Sequence, residues 1–171
     1  MDLTNKRLTQ KQKIFFTNLS NYIDKPIYFY GSIQRPDYIP EKSDIDIDIF
    51  TDNETSTIQM LSNHLNIKVS EFKKIIYKIK STMVYGYKTK YEDVKNNINI
   101  ELSIYNEKNK DIVLKDHESC KNLPFYITIV LYIIKVLFYN FKIISKKMYK
   151  RLKQFLMNPG DEMKFIEINS K

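Results

Sequence analysis

A chain of 171 residues, 43% hydrophobic and 28% charged, is long enough to bury a core and ordinary enough to fold as one domain. Its formal charge of +8 favours a polyanionic partner, nucleic acid or a membrane surface, although abundant Lys, Asn and Ile also fit an AT-rich coding bias. The single Cys120 excludes an internal disulfide and fits a reducing compartment. Residues 1–6 lack the apolar run of a signal peptide, so a cytoplasmic location is expected.

In chain order, Leu8, Ile14, Phe15, Leu19 and Ile23 approximate helical spacing and predict a helix over 7–22. Residues 26–30 read as a short buried strand running into Gly31, one of only three glycines. Pro36 and Pro40 mark an irregular connection. Residues 44–50 alternate acid and isoleucine as a second strand. Asn53 suits a helix start, with Ile58, Leu61 and Leu65 as its apolar stripe. Phe72, Ile75, Ile76 and Ile79 suggest a helix, or a helix–strand junction, over 69–80. Residues 83–91 and 98–105 read as two strands with a turn between them.

The mostly apolar run 123–141 is long enough to cross a bilayer. A charge at mid-segment, here Lys135, costs about 2.5–3.5 kcal/mol on insertion scales. The basic cluster from Lys142 to Lys153 would also be retained in the cytosol, placing the acidic strand outside, away from nucleoside triphosphates. A long helix over 123–157 packed on the sheet satisfies both facts, and a membrane span and a helix lying on a surface are the lesser alternatives. Residues 1–158 are expected to form one domain, and 159–171 a flexible tail.

The chemistry concentrates in Tyr30-Gly31-Ser32 and Ser43-Asp44-Ile45-Asp46-Ile47-Asp48-Ile49. On a strand Asp44, Asp46 and Asp48 share one face and the isoleucines share the other. Carboxylates crowded on one face repel, and a divalent cation with oxygen ligands relieves that repulsion. Glu101 is the one acid on the polar face of Ile98–Ile104. His64 and His117 make no zinc pattern with Cys120 and read as structural or exposed. No Walker-type phosphate loop is present.

Gly31-Ser32, Arg35, Ser43-Asp44-Ile45-Asp46-Ile47 and a strand-borne Glu101 together resemble the DNA polymerase β-type nucleotidyltransferase superfamily over residues 26–105. The resemblance implies an α/β (α+β) fold, a short mixed β-sheet of four or five strands flanked by helices. It implies metal-dependent transfer of a nucleoside monophosphate from a triphosphate, ATP foremost, to an acceptor hydroxyl on RNA, protein or a small molecule. Asp44, Asp46 and Glu101 would be catalytic carboxylates holding Mg2+ or Mn2+, with Asp48 as an alternative ligand in a frame shifted by two. Gly31, Ser32 and Arg35 would bind the nucleotide. Glu101 departs from the Asp that most members carry. Lys88 and Lys90 lie on the strand facing Glu101 but read as solvated. The rival reading is a non-catalytic module, binding or antitoxin-like, on the same fold. A second rival is a scaffold held at a membrane by 123–141. The oligomeric state and the acceptor are left open.

Overall fold

A computed structural model describes residues 3–157 and 165–168. A short helix, α1 (Leu3–Arg7), precedes α2 (Gln10–Ile23). Thr9 starts α2 by a reciprocal cap: its hydroxyl accepts from Gln12 N at 3.2 Å, and its own N–H donates to Gln12 Oε1 at 3.0 Å. Strand β1 (Tyr28–Tyr30) runs into a 3-10 turn, Gly31–Gln34, and the chain returns as β2 (Ile45–Thr51). Asn53 caps α3 (Glu54–Leu65), accepting from Ser56 N at 3.0 Å. Strands β3 (Lys73–Ile79), β4 (Thr82–Asp93) and β5 (Ile98–Asn106) follow. Helices α4 (Lys110–Lys121), α5 (Phe125–Tyr139) and α6 (Lys146–Met157) come next, then β6 (Phe165–Ile168).

The sheet order is β1-β2-β5-β4-β3-β6. Only β2 and β5 pair in parallel among the described residues. Period-two alternation sorts their side chains. Ile45, Ile47, Ile49, Ile100, Leu102 and Ile104 are buried against Phe16 and Leu19 of α2 and Leu61 of α3. Each fully buried aliphatic side chain of this kind contributes about 1.5–3 kcal/mol of burial energy. The opposite face changes character along the strands. It begins with Asp46 and Glu101, continues through Asp48 and Ser103, and ends in an apolar cluster of Phe50, Tyr105, Tyr77 and Val113.

Three expectations are revised. Of the helix or helix–strand junction expected over 69–80, the junction is what forms, and residues 73–79 are a strand. Ile75, Tyr77 and Ile79 are the buried positions, at period two, and only the short turn Val69–Glu71 is helical. The expected long helix over 123–157 is two helices, because the chain turns out of α5 at Asn140–Phe141, Lys142 takes a left-handed conformation (φ 52°), and Ser145 Oγ accepts from Met148 N at the start of α6. Of the expected tail, Phe165–Ile168 pairs antiparallel with β3, making a sixth strand. The remainder of 159–171 lies outside the described residues.

Helix α5 is a core helix on one side only. Thr128, Leu131, Ile134 and Lys135 face inward. The Lys135 ammonium is buried and lies 2.9 Å from both Asp37 Oδ2 and the Asp37 carbonyl oxygen. Arg35 grips the same carboxylate, Nε to Oδ1 at 2.8 Å and Nη2 to Oδ2 at 3.2 Å. These two cations overcome burial and hold the Asp37 carboxyl below its ordinary value. Removing one partner of a buried pair leaves an uncompensated charge. We expect Lys135→Met to lower stability by about 3 kcal/mol in urea unfolding, since Arg35 still pairs with Asp37. A loss below about 0.5 kcal/mol would refute a structural role for the pair.

Candidate active site

The β1–β2 hairpin and the parallel β2–β5 pair bring the acidic motif together. Tyr30 pairs with Asp46 across β1–β2, and Asp46 pairs with Glu101 across β2–β5. Asp46 and Glu101 are therefore neighbours on one face. Asp44, at the mouth of β2, accepts from Asn99 Nδ2 at 2.8 Å. All three carboxylates line a cleft of about 960 Å3 roofed by Phe138, Tyr139 and Tyr149 of α5 and α6. Ser32 borders the same cleft.

Gly31 sits directly against Asp46. Its φ of +73° is left-handed, and a Cβ there would lie 2.3 Å from Asp46 Oδ2. Position 31 thus needs glycine for conformation and for space. Burial pushes the Asp46 carboxyl up to about 6, while the attraction of Lys153 and Lys88 offsets the repulsion from Glu101 and Asp44. Glu101 behaves oppositely. Burial raises it, but the ammonium groups of Lys88 and Lys90 prevail and bring it down to about 2. Lys88 Nζ contacts Oε1, and Lys90 Nζ lies 2.7 Å from Oε2.

Several sequence assignments move. Arg35 is 2% exposed and committed to Asp37, so its fork is not offered to a phosphate. Its role is to shape the loop after Ser32. Asp48 is fully buried, with Oδ2 2.7 Å from His117 Nε2, and it does not share the cleft. Burial raises the Asp48 carboxyl, with His117 opposing. This removes Asp48 as the alternative metal ligand. His117, read as structural or exposed, is the buried partner, stacked on Tyr30 at 4.0 Å and 6°. The dyad thus props the residue that precedes Gly31. Lys88 and Lys90, read as solvated, belong to the site as partners of Glu101.

The donor chemistry of Asp44 and Asp46 fits a hard divalent cation. Magnesium is commonly held by one or two carboxylates, with substrate phosphates and water completing its shell. A third protein ligand is not in place. Among the described residues no three acidic, histidine or cysteine side chains converge as a metal cage. Glu101, expected to be that ligand, is turned to its lysines.

The pattern of the nucleotidyltransferase domain matches residues 11–151, which takes in both acidic strands and the Gly-Ser turn. The chain belongs to the nucleotidyltransferase domain family. Its mixed sheet with flanking helices is the fold the resemblance implied. No curated protein sequence matches this nucleotidyltransferase-family chain. Among solved structures it is similar to one described as the non canonical poly(A) polymerase complex GLD-2–GLD-3. That match has 14% identity and a TM-score of 0.46, covering 85% of this chain and 50% of the other. It is also similar to one described as the GLD-2/RNP-8 complex, at 15% identity and a TM-score of 0.42, covering 91% and 63%. The chain therefore spans between half and two thirds of the length of these solved chains.

Proposed function

We propose that this nucleotidyltransferase domain moves a nucleoside monophosphate from a nucleoside triphosphate to an acceptor hydroxyl. ATP is the leading donor, and RNA, protein or a small molecule is the acceptor, with the reaction set in the cytoplasm. The observation that carries the reading is the register of Asp46 against Glu101, beneath Gly31 and beside Asp44, at the floor of an open cleft.

Each residue has a share in this reading. Asp44 and Asp46 would hold Mg2+ or Mn2+, which when bound neutralises the triphosphate and the departing pyrophosphate. Gly31 lets the backbone approach the phosphates, and Ser32 beside it offers a hydroxyl. Lys88 and Lys90 stand ready to pair with phosphate oxygens in place of Glu101. Glu101, once released, is the carboxylate nearest Asp46 for orienting the acceptor hydroxyl. Positioning and charge neutralisation supply most of the acceleration in transfers of this type.

A second reading is a non-catalytic module on this fold, binding or antitoxin-like. The pairing of Glu101 with Lys88 and Lys90 favours it, because those lysines occupy the place of a cation. The test is turnover of the four radiolabelled ribonucleoside triphosphates with magnesium, total cellular RNA and protein. Label carried to macromolecule, and lost on chelation, is the expected result. Nucleotide binding without transfer would point to a small-molecule acceptor, and neither binding nor transfer would select the second reading.

A further inference from the structure

Helix α5 is amphipathic the wrong way round for a helix facing water. Its one charged residue, Lys135, points inward to Asp37. Its outer face carries Phe125 (79% exposed), Tyr126 (68%), Ile129, Val130, Tyr132 and Ile133. These positions recur at helical spacing along one side, opposite the buried Thr128, Leu131, Ile134 and Lys135. Phe141 and Ile143 extend the exposed apolar surface into the α5–α6 turn, and Met148 and Phe155 do so on α6. A contiguous apolar surface of this kind marks a contact site.

The charge beside it says what the contact is. No Asp or Glu occurs between Glu118 and Asp161. Helix α6 packs on α5 through Phe138 and Tyr149, stacked at 4.5 Å. It turns Lys146, Lys150 and Lys153 into the active-site cleft. Lys142, Lys147 and Arg151 are exposed and do not line that cleft. Along the chain Lys142 lies between Phe141 and Ile143, Lys147 is next to Met148, and Arg151 is at helical spacing from Met148 and Phe155.

We propose that the outer faces of α5 and α6 dock on an anionic lipid bilayer. The apolar side chains enter the headgroup–acyl boundary, and Lys142, Lys147 and Arg151 pair with anionic headgroups. Apolar side chains edged by cations and free of acids match an interfacial helix. A nucleic acid would use the cations and leave the α5 face uncovered, and a protein groove would not select for the absence of acids. The association is peripheral. Among the described residues no single helix is long and apolar enough to cross a membrane.

The full chain is spun with vesicles of phosphatidylcholine alone or mixed with phosphatidylserine, at low and high salt. Wild type is expected to sediment with the phosphatidylserine vesicles and to be released by salt. Each basic residue near an anionic surface contributes roughly a fivefold factor. Lys142→Gln/Lys147→Gln/Arg151→Gln should therefore weaken binding about a hundredfold. Ile129→Ser/Ile133→Ser, on exposed positions, should weaken it with the charges kept. Both variants should keep the wild-type melting temperature and basal turnover. Equal binding to both vesicle types would overturn the proposal. So would absence from vesicles combined with self-association abolished by Ile129→Ser/Ile133→Ser, or RNA binding abolished by the charge variant.

Discussion

Asp46→Asn should abolish transfer while leaving the protein folded and more stable at neutral pH. Removing one electrostatic element from a preorganised site of this type costs about 10²–10³-fold in turnover. Losing a proposed metal ligand belongs at or beyond the upper end. The stability change follows from the raised Asp46 carboxyl. Its folded value of about 6 lies above its ordinary one, so the folded state holds that proton more tightly. The resulting stabilisation is present in acid and is lost as pH rises through about 6. Asparagine has no charge to bury, so the variant should melt a few degrees higher at pH 8 and match wild type at pH 4. Protons also compete with the cation for Asp46. Wild-type magnesium affinity should therefore fall about tenfold for each pH unit below about 6. Scanning calorimetry, turnover and magnesium titration across pH read all three. A variant that unfolds at pH 8, or that retains full turnover, would show that Asp46 belongs to a structural network.

Gly31→Ala should be nearly as severe for turnover and worse for stability. The left-handed backbone at φ +73° costs a residue bearing a Cβ about 1–2 kcal/mol. The added methyl also runs into Asp46 Oδ2. Relief requires the turn or the Asp46 side chain to move, and either shift displaces a group within the proposed phosphate path. The comparison is Gly86→Ala on β4, where the methyl would meet the Ile104 carbonyl oxygen and the Tyr105 ring at 2.6 Å. That substitution should lower the melting temperature and leave KM for the triphosphate unchanged. Thermal melts and steady-state kinetics of the pair separate the two effects. Equal losses of turnover per degree of destabilisation would show that Gly31 has no role beyond folding.

The acidic strands were legible because alternation with a period of two is unambiguous when acids and isoleucines interleave. Strand β3 was not, because Phe72, Ile75, Ile76 and Ile79 fall at helical spacing and mask the period-two set Ile75, Tyr77 and Ile79. Tyr77, buried at 2%, decides between them only once the sheet exists. Arg35 stood at the motif's spacing. Its capture by Asp37 required Lys135, 98 residues further on, to complete the buried group. A lysine in the middle of an apolar run was the visible sign that some carboxylate awaited it. His117 carried no local mark, because its partner Asp48 lies 69 residues away. The break after α5 falls where Asn140 and Ser145 interrupt the apolar run, Asn140 closing α5 and Ser145 accepting from Met148 N at the start of α6.

Lys135 makes α5 and the loop that leaves Gly31 and Ser32 a single mechanical unit. Its ammonium is seated on both the side chain and the carbonyl of Asp37, so the helix cannot shift without drawing on the segment beside the candidate cleft. A tether of this kind conducts in both directions. A ligand of the outer α5 face that favours one placement of the helix changes triphosphate affinity by some factor. By linkage, the triphosphate then changes that ligand's affinity by the same factor.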